Sequence, residues 1–305
     1  MPLHYYRTEF KAMGTLCEIQ LFAPTPGLAE QVAQAAIADV QRLEARYSRY
    51  LPDSFLSAIN RVAAVGGSIW VDDETASLLD YADTCHQQSD GLFDISSGIL
   101  REAWQFGQNT LPDANVVAAL QAKVGWHKVH WRRPELAFSV AGMALDFGGI
   151  VKEYAADRAA ALCYGLGISH AVINLGGDIK VLGPRADGSA WRVGIRHPNA
   201  AQGLLHNLLL KVGAVASSGD YERCIRINGT RYGHILNPNT GWPVRHLVAV
   251  SVVADYCVVA GSAATIAMLK EEQGKAWLMA LGLPHLWVDV EGQVGGTLAG
   301  LGECG

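Results

Sequence analysis

The apolar residues of this chain change their spacing near residue 176, and this change limits the fold more than any other feature of the sequence. After it, short apolar runs alternate with turns, and Asn228-Gly229 joins two of them as a strong β-hairpin signal. Before it, apolar residues recur at helical spacing in the segments 28–47, 73–89, 113–124 and 150–163. Helices gathered in the first half and strands in the second predict an α+β fold.

Three segments carry further predictions about local structure. Residues 49–60 are polar and predict a loop. Residues 143–147 predict a short strand that feeds the helix 150–163, and residues 261–281 predict one helix. Because no repeat, linker or shift in composition divides the chain, we expect a single domain over residues 1–305.

Charge and hydropathy exclude two classes of partner. Lys and Arg number 24 against 29 Asp and Glu, so the net charge of −5 argues against a nucleic-acid-binding surface. No stretch reaches the roughly 20 apolar residues of a membrane span. Because residues 1–10 hold no apolar run of a secretory signal, we expect a cytoplasmic protein, or a periplasmic one if this chain is a mature form.

The cysteines are too scattered to predict a zinc or redox site. They contain no Cys-x-x-Cys pair and lie at positions 17, 85, 163, 224, 257 and 304. Because unpaired cysteines are among the most buried residues of proteins, we predict reduced cysteines in the core.

Glycines stand at predicted strand ends in three places, where bare backbone N–H groups can meet an anion. These places are 148–149, 176–177 and 217–220. The first opens a helix, whose N-terminus offers unpaired donors to a phosphate, so a nucleotide diphosphate is a natural ligand. Taken singly, each such pair is more often just a tight turn than an anion site. A P-loop and a Gly-x-Gly-x-x-Gly fingerprint are both missing from the sequence, which disfavours those nucleotide-binding folds.

Seven short motifs follow one another in an order that resembles a known family. They are AMGT at 12–15, SRY at 48–50 with DS at 53–54, DGLFD at 90–94, LDFGGIVK at 145–152, NLGGDI at 174–179, SSGDY at 217–221 and HILNPNTG at 234–241. Together they resemble the ApbE family of FAD:protein FMN transferases, over about residues 13–265.

The resemblance implies a fold, a substrate and a reaction. It implies one α+β domain with a mixed, largely antiparallel sheet and flanking helices, which holds FAD in a cleft with Mg²⁺ at the pyrophosphate. Such an enzyme moves FMN from FAD to a Thr hydroxyl of an acceptor protein and releases AMP. We expect that acceptor to be a subunit of a redox complex. Phosphoryl transfer then requires donors, a cation and a base from the protein.

The resemblance also assigns roles to individual residues. His234 is implied as the base that accepts the proton of the acceptor hydroxyl, or as a group that orients a phosphate oxygen. Lys152 is implied to neutralise phosphate charge and to take part in catalysis. The implied FAD-binding residues are Met13, Tyr50, Leu92, Phe93, Asp94, Asp146, Lys152 and Ile235. Met13 and Phe93 are equally compatible with ordinary core packing.

The implied metal site departs from the family pattern. Thr265 and the carbonyl of Gly149 remain as ligands, but Gly261 stands where the family carries an Asp. Mg²⁺ prefers oxygen ligands that include one or two carboxylates, so its affinity should fall. We predict that replacing Gly261 with Asp raises the activity and makes it depend more strongly on Mg²⁺. Two other departures are Asn237 in place of an Asp, and Glu153 in place of a Gly. We expect Glu153 to be a solvated helical charge, with a role in compensating for the missing acid as the alternative.

Several outcomes remain open at the level of the sequence. The chain is a transferase that uses Mg²⁺ brought by the phosphates of FAD, a transferase in which Lys152 replaces the metal, or a flavin-binding protein without transfer activity. The last would be an FAD carrier or a factor in flavoprotein assembly. A fourth alternative is a pyrophosphatase that hydrolyses FAD to FMN and AMP.

Overall fold

The computed structural model describes residues 2–108, 110–198, 203–220 and 224–299. Tyr221 of the sixth motif and Cys304 lie outside these ranges. Within them the α-helices are α1 (Pro26–Tyr47), α2 (Phe55–Val65), α3 (Asp73–Gln88), α4 (Ala114–Gln121), α5 (Val151–Gly165), α6 (Cys257–Leu269) and α7 (Gly274–Leu281). Across the described ranges, we find no helix with the length and apolar character of a membrane span.

An eight-stranded antiparallel sheet forms the centre of the molecule. Its strands, numbered along the chain and given in spatial order, are β1 (His4–Ala12), β2 (Thr15–Ala23), β6 (Ala171–Leu175), β7 (Asp178–Val181), β10 (Gly213–Gly219), β13 (Leu247–Ala254), β14 (His285–Asp289) and β15 (Val294–Gly295). Smaller sheets join β3 (Gly67–Trp70), β5 (Glu135–Phe138) and β4 (Val129–Arg132), then β8 (Trp191–Arg196) with β9 (Leu204–Leu210), and β11 (Cys224–Ile227) with β12 (Thr230–Gly233). The predicted α+β fold is confirmed.

Both faces of the central sheet are covered, which explains why every residue of β13 except Ser251 is apolar. Val250 and Val252 belong to the main core, against which α5 and α6 pack. Ala249 faces the opposite side and packs in a second apolar cluster with Val193 and Leu208 of the β8–β9 hairpin. Side chains of a strand alternate between its two faces, so a strand covered on both faces reads as a continuous apolar run.

The predicted loop at 49–60 is wrong in its second half, where α2 begins. Ser54 caps this helix by accepting a hydrogen bond from the Ser57 N–H at 3.0 Å. Leu56, Ile59 and Ala63 follow at helical spacing and are fully buried. The cap and the spacing were both present in the sequence, but the polar stretch before them obscured the helix start.

The predicted strand at 143–147 is also wrong, since this apolar run forms no ladder with a neighbouring strand. The side-chain amide of Asn60 takes the place of such a neighbour: its Oδ1 accepts from the Leu145 N–H at 2.8 Å and its Nδ2 donates to the Leu145 carbonyl at 3.0 Å. The Asp146 N–H donates to the carbonyl of Ile95. The segment is therefore buried and extended without belonging to a sheet.

The predicted helix at 261–281 is two helices, α6 and α7. Between them Lys270 is buried and pairs with Asp90 at 2.6 Å. Gly274 opens α7 against the carbonyl oxygen of Ala267, which would lie 2.1 Å from a Cβ at this position. One straight helix would separate Gly274 from the carbonyl of Ala267. The chain therefore bends at Gly274, where the absence of a side chain permits this close contact.

Four cysteines have the predicted core positions. Cys17, Cys85, Cys163 and Cys257 are buried, while Cys224 is half-buried. Burial raises the pKa of the Cys163 thiol to about 12, which disfavours its reactive thiolate form.

An ion-pair network ties α1, α3 and α5 together beside the core, and it predicts a loss of stability in acid. Arg42 of α1 binds Glu74 of α3 through two hydrogen bonds of 2.7 and 2.8 Å, and Arg158 of α5 binds Asp39 at 2.9 Å. The hydrogen bonds from Arg42 lower the pKa of the Glu74 carboxyl below its ordinary 4.5. Its stabilising contribution is therefore present above pH 4.5 and is lost as the pH falls through the lowered value.

We expect Glu74→Gln to lower the free energy of unfolding at neutral pH by about 1 kcal/mol or less, because Arg42 is partly exposed. At about pH 3 the difference between the variant and the unaltered protein should shrink, since this pH lies below the ordinary 4.5 and part of the stabilisation by the ionised carboxyl is then lost. Urea unfolding at the two pH values measures this difference. Glu30→Gln, on the exposed side of α1, is the control. Equal losses at both pH values would contradict the prediction.

Candidate functional site

A cleft of about 1060 Å³ opens beside the end of the central sheet, and all the predicted site residues line it. The turn between β6 and β7, the start of α5 and the end of β10 contribute the three glycine-containing segments to its wall. The predicted residues that line it are Met13, Tyr50, Leu92, Phe93, Asp94, Asp146, Gly149, Lys152, His234, Ile235 and Thr265. Tertiary structure thus brings together residues that are scattered over most of the sequence.

Two tight turns bring backbone close to the cleft. Met13 has a φ of +54° and Gly14 a φ of +69°, in the turn that joins β1 to β2. Gly176 has a φ of +65°, and a Cβ there would lie 2.5 Å from Cγ2 of Thr15. Any larger residue at 176 would push the two turns apart, so this glycine is required by both conformation and contact.

The residues at 50 and 92–94 contribute to the cleft in different ways. Tyr50 is 75% exposed and lies at the rim, where its ring is open for stacking. Phe93 is buried, with its ring 3.3 Å from the position of a Cβ on Gly149. The carboxylate of Asp94 is buried and accepts hydrogen bonds from the Ser96 N–H, the Ser96 hydroxyl and the Trp126 N–H. Asp94 therefore shapes the wall, and its direct contact with a nucleotide stays a prediction.

Asp146 holds the glycine turn in place through a partner that the sequence analysis did not single out. Its Oδ2 accepts from Nη1 of Arg49 at 2.8 Å, and its Oδ1 accepts from the Gly148 N–H at 2.9 Å. The same Arg49 nitrogen also donates to the carbonyl of Gly98 at 3.0 Å. Arg49 belongs to the SRY motif and lines the cleft. Its place in that motif was the sequence signal that could have identified it as a site residue.

Lys152 is paired with a buried carboxylate rather than standing alone in the cleft. Its Nζ forms an ion pair with Asp178, whose side chain is 2% exposed. Asp178 also accepts from the Ser217 N–H at 3.2 Å through its other oxygen. Asp178 belongs to the GGD sequence of the β6–β7 turn, but the sequence analysis assigned it no role. The ion pair joins α5 to the glycine turn and leaves Lys152 at the cleft surface.

The His234 segment follows directly on β12 and is supported from behind. His234 and Ile235 are half-buried and line the cleft. Gly233 packs so closely that its Cβ position lies 2.4 Å from the Cβ of Asp220. Asp220 is buried and pairs with Arg231 at 3.0 Å, and burial raises the pKa of its carboxyl. Asp220 does not line the cleft itself but packs behind the His234 segment.

The side chains of Asn237 and Asp157 accept hydrogen bonds that hold local backbone in place. The side chain of Asn237 accepts from the Asn239 N–H at 2.9 Å within the turn that ends the motif, a role that Asp or Asn fills equally. Asp157 of α5 accepts from the N–H groups of Cys257 and Val258 at 2.9 and 3.0 Å. It caps the start of α6, and its nearest cation, Lys180, lies 3.9 Å away.

The oxygen groups of the implied metal site lie on α6, β10 and the start of α5. The hydroxyl of Thr265 hydrogen-bonds the hydroxyl of Ser218 at 2.7 Å, and Gly149 lines the same cleft. In the part of the chain that the structure describes, no cluster of three or more His, Cys, Asp and Glu residues could hold a metal ion. A Mg²⁺ site here would need one carboxylate, neutral oxygens and substrate phosphates, a donor set that Mg²⁺ accepts.

The expectation of a solvated Glu153 is wrong, and it changes the prediction for residue 261. Glu153 is only 7% exposed and lines the cleft. A Cβ on Gly261 would lie 2.5 Å from Cγ of Glu153. An Asp added at 261 would therefore clash with Glu153, so the single replacement should destabilise the protein instead of strengthening Mg²⁺ dependence.

Comparisons with known proteins point to one family. The ApbE family model matches residues 13–287. The FAD:protein FMN transferase of Rhodobacter capsulatus is 33% identical over 274 residues, which cover 87% of this chain and 51% of that protein, so the chain spans about half its length. The FAD:protein FMN transferase of Vibrio cholerae is 27% identical, with 94% of this chain and 88% of that protein covered.

Solved structures give the same result. The ApbE protein from Thermotoga maritima superposes with a TM-score of 0.87 and 28% identity, over 96% of this chain and 97% of that one. The apo form of the flavinyl transferase ApbE from Pseudomonas stutzeri superposes with a TM-score of 0.87 and 27% identity, over 99% of both chains.

Proposed function

This chain belongs to the ApbE family, and from that premise we propose that it is an FAD:protein FMN transferase. The curated relatives carry this name. The observation that carries the proposal is the single cleft that gathers the glycine turns, Asp146, Lys152 and His234. Lys152 lies at the cleft surface, where a cation suits a pyrophosphate, and the rim residue Tyr50 suits a flat ring. The carrier and pyrophosphatase alternatives are not favoured by these relatives.

The proposed reaction exchanges the phosphoanhydride bond of FAD for a phosphate ester bond to the acceptor. The hydroxyl oxygen of an acceptor Thr attacks the phosphorus atom of the FMN half of FAD. The bond from that phosphorus to the bridging pyrophosphate oxygen breaks, and AMP leaves with the electron pair. His234 accepts the hydroxyl proton, and Lys152 neutralises charge on the phosphate oxygens.

We also propose that Mg²⁺ takes part. The Thr265 hydroxyl and the Gly149 carbonyl would hold it, and when bound it neutralises charge on the phosphates. The acceptor is proposed to be a Thr-bearing subunit of a redox complex. A cytoplasmic location stays a prediction.

Mass spectrometry of a Thr-bearing acceptor segment tests the proposal. The segment is incubated with the protein, FAD and Mg²⁺, with an EDTA control, and the breakdown of FAD is followed in parallel. A mass gain of one FMN supports the transferase. FMN and AMP released without labelling would mean hydrolysis, and bound FAD that stays intact across several acceptor segments would contradict transfer.

A further inference from the structure

Glu153 is a buried acid, and one of its carboxylate oxygens lacks a hydrogen-bond partner among the described residues. Its side chain lies on the first turn of α5, is 7% exposed and lines the cleft. Its Oε2 atom is fully buried and has no hydrogen-bond partner among the described residues. The neighbouring Lys152 is directed to Asp178 instead. Burial of an ionised carboxylate is costly unless a charge or donors compensate, so this oxygen points to a ligand that the protein atoms do not supply.

Gly261 makes room for this carboxylate on the opposing helix. A Cβ at 261 would lie 2.5 Å from Cγ, 3.0 Å from Cδ and 3.1 Å from Oε1 of Glu153. No side chain at 261 fits beside Glu153 in this position. The carboxylate of Glu153 therefore fills the space next to α6 that a side chain at 261 would otherwise occupy. A glycine inside a helix is unfavourable by itself, so its presence in α6 agrees with a packing requirement.

Thr265 places a second oxygen on the same side of α6. Residues four apart on a helix lie on one face, so Thr265 follows Gly261 by one turn toward the cleft. Both Thr265 and Glu153 line that cleft, and the Thr265 hydroxyl contacts Ser218. The carboxylate from α5 therefore lies beside position 261, one helical turn from Thr265. Carboxylate and hydroxyl oxygens are ligands for hard divalent cations.

We propose that Glu153 is the carboxylate ligand of a divalent cation in this cleft, together with Thr265, so that the acid is supplied by α5 instead of α6. This inference rests on the proposed function, because it concerns the Mg²⁺ of that reaction. It differs from the sequence-based expectation of a site without any carboxylate. Glu153 and Gly261 then act as a pair, in which the acid on one helix requires the glycine on the other.

Direct titration with Mn²⁺, followed by electron paramagnetic resonance of the full chain without FAD, tests the proposal. Glu153→Gln should weaken Mn²⁺ binding by at least about 10-fold, because it removes a charged ligand while keeping the shape of the side chain. Glu44→Gln is the matched control, since Glu44 is another acid that lines the cleft, and its Mn²⁺ affinity should be unchanged. An unchanged affinity in Glu153→Gln, or a wild-type protein that binds no Mn²⁺, would overturn the proposal.

Thermal unfolding gives a second readout that does not depend on activity. Added Mn²⁺ should raise the Tm of the unaltered protein but not that of Glu153→Gln, because a ligand stabilises only the state that binds it. In EDTA the Tm of Glu153→Gln should equal or exceed that of the unaltered protein, since a buried unpaired charge is removed. A Tm far below it would indicate a structural role for the acid and would count against the proposal.

A swap of the two positions separates the ligand role from simple packing. Gly261→Asp alone should lower the Tm, because the new side chain meets Glu153. Glu153→Gly combined with Gly261→Asp should recover both the Tm and most of the Mn²⁺ affinity. If Mn²⁺ binds through Glu153 but no FMN is transferred, the proposed function fails and the cation site stands. If transfer requires Mg²⁺ but Glu153→Gln binds Mn²⁺ normally, the proposed function stands and Glu153 is not the ligand.

Discussion

Replacing His234 with Ala is expected to slow FMN transfer by about 100- to 10,000-fold, while the Kd for FAD stays close to that of the unaltered protein. A base acts on the proton of the acceptor hydroxyl and not on the bound nucleotide, so its loss affects the chemical step. The residue stands at the cleft directly after β12, where Gly233 packs against the buried Asp220. This support fixes the backbone that presents the imidazole, so the variant should fold normally.

Single-turnover transfer to a Thr-bearing segment and fluorescence titration with FAD measure the two quantities separately. His246→Ala is the control, because His246 is partly exposed and lies near Glu271 and Glu272. Added imidazole should restore part of the rate in His234→Ala if the missing group is a base. A fall in FAD affinity that accounts for the whole loss of rate would instead reassign His234 to nucleotide binding.

Replacing Lys152 with Met is expected to lower the free energy of unfolding by about 3 kcal/mol and to weaken FAD binding. Met keeps most of the volume of the Lys stem but leaves the carboxylate of Asp178 buried without its cation. Asp178 also holds the Ser217 N–H, so a displaced carboxylate would disturb the end of β10 at the cleft. Urea unfolding measures the stability, and fluorescence titration measures the FAD affinity.

Two variants separate the structural role of Lys152 from contact with phosphate. Lys275→Met is the matched control, because it breaks a similar pair with the buried Asp289, formed at 2.7 Å, among residues that do not line this cleft. It should lower stability without changing the Kd for FAD. Lys152→Met combined with Asp178→Asn should recover much of the stability, since the unpaired charge is removed. FAD affinity that also recovers fully would contradict a phosphate contact by Lys152.

The local signals of the sequence predicted most of the long helices and the identity of the cleft residues. Apolar spacing predicted α1, α3 and α5, because each helix must turn one continuous face to the core. Strand-end glycines indicated the turns of the site, because positive φ angles such as those at Gly176 and Gly177 favour glycine. The errors at 143–147 and 261–281 arose where a side chain or a close contact, and not periodicity, decided the backbone path.

The sequence by itself determined that the predicted site residues belong to one cleft, since the ordered motifs indicated the family and the family implied the fold. Only the tertiary structure decided how their charges are paired. Arg49 and Asp146 are 97 positions apart, and Lys152 and Asp178 are 26 apart. The sequence predicted an exposed charge at Glu153, whereas in the structure α6 packs against this side chain at Gly261. Spacing along a chain reports which face of its own element a residue occupies, but the partner across an interface depends on how whole elements pack.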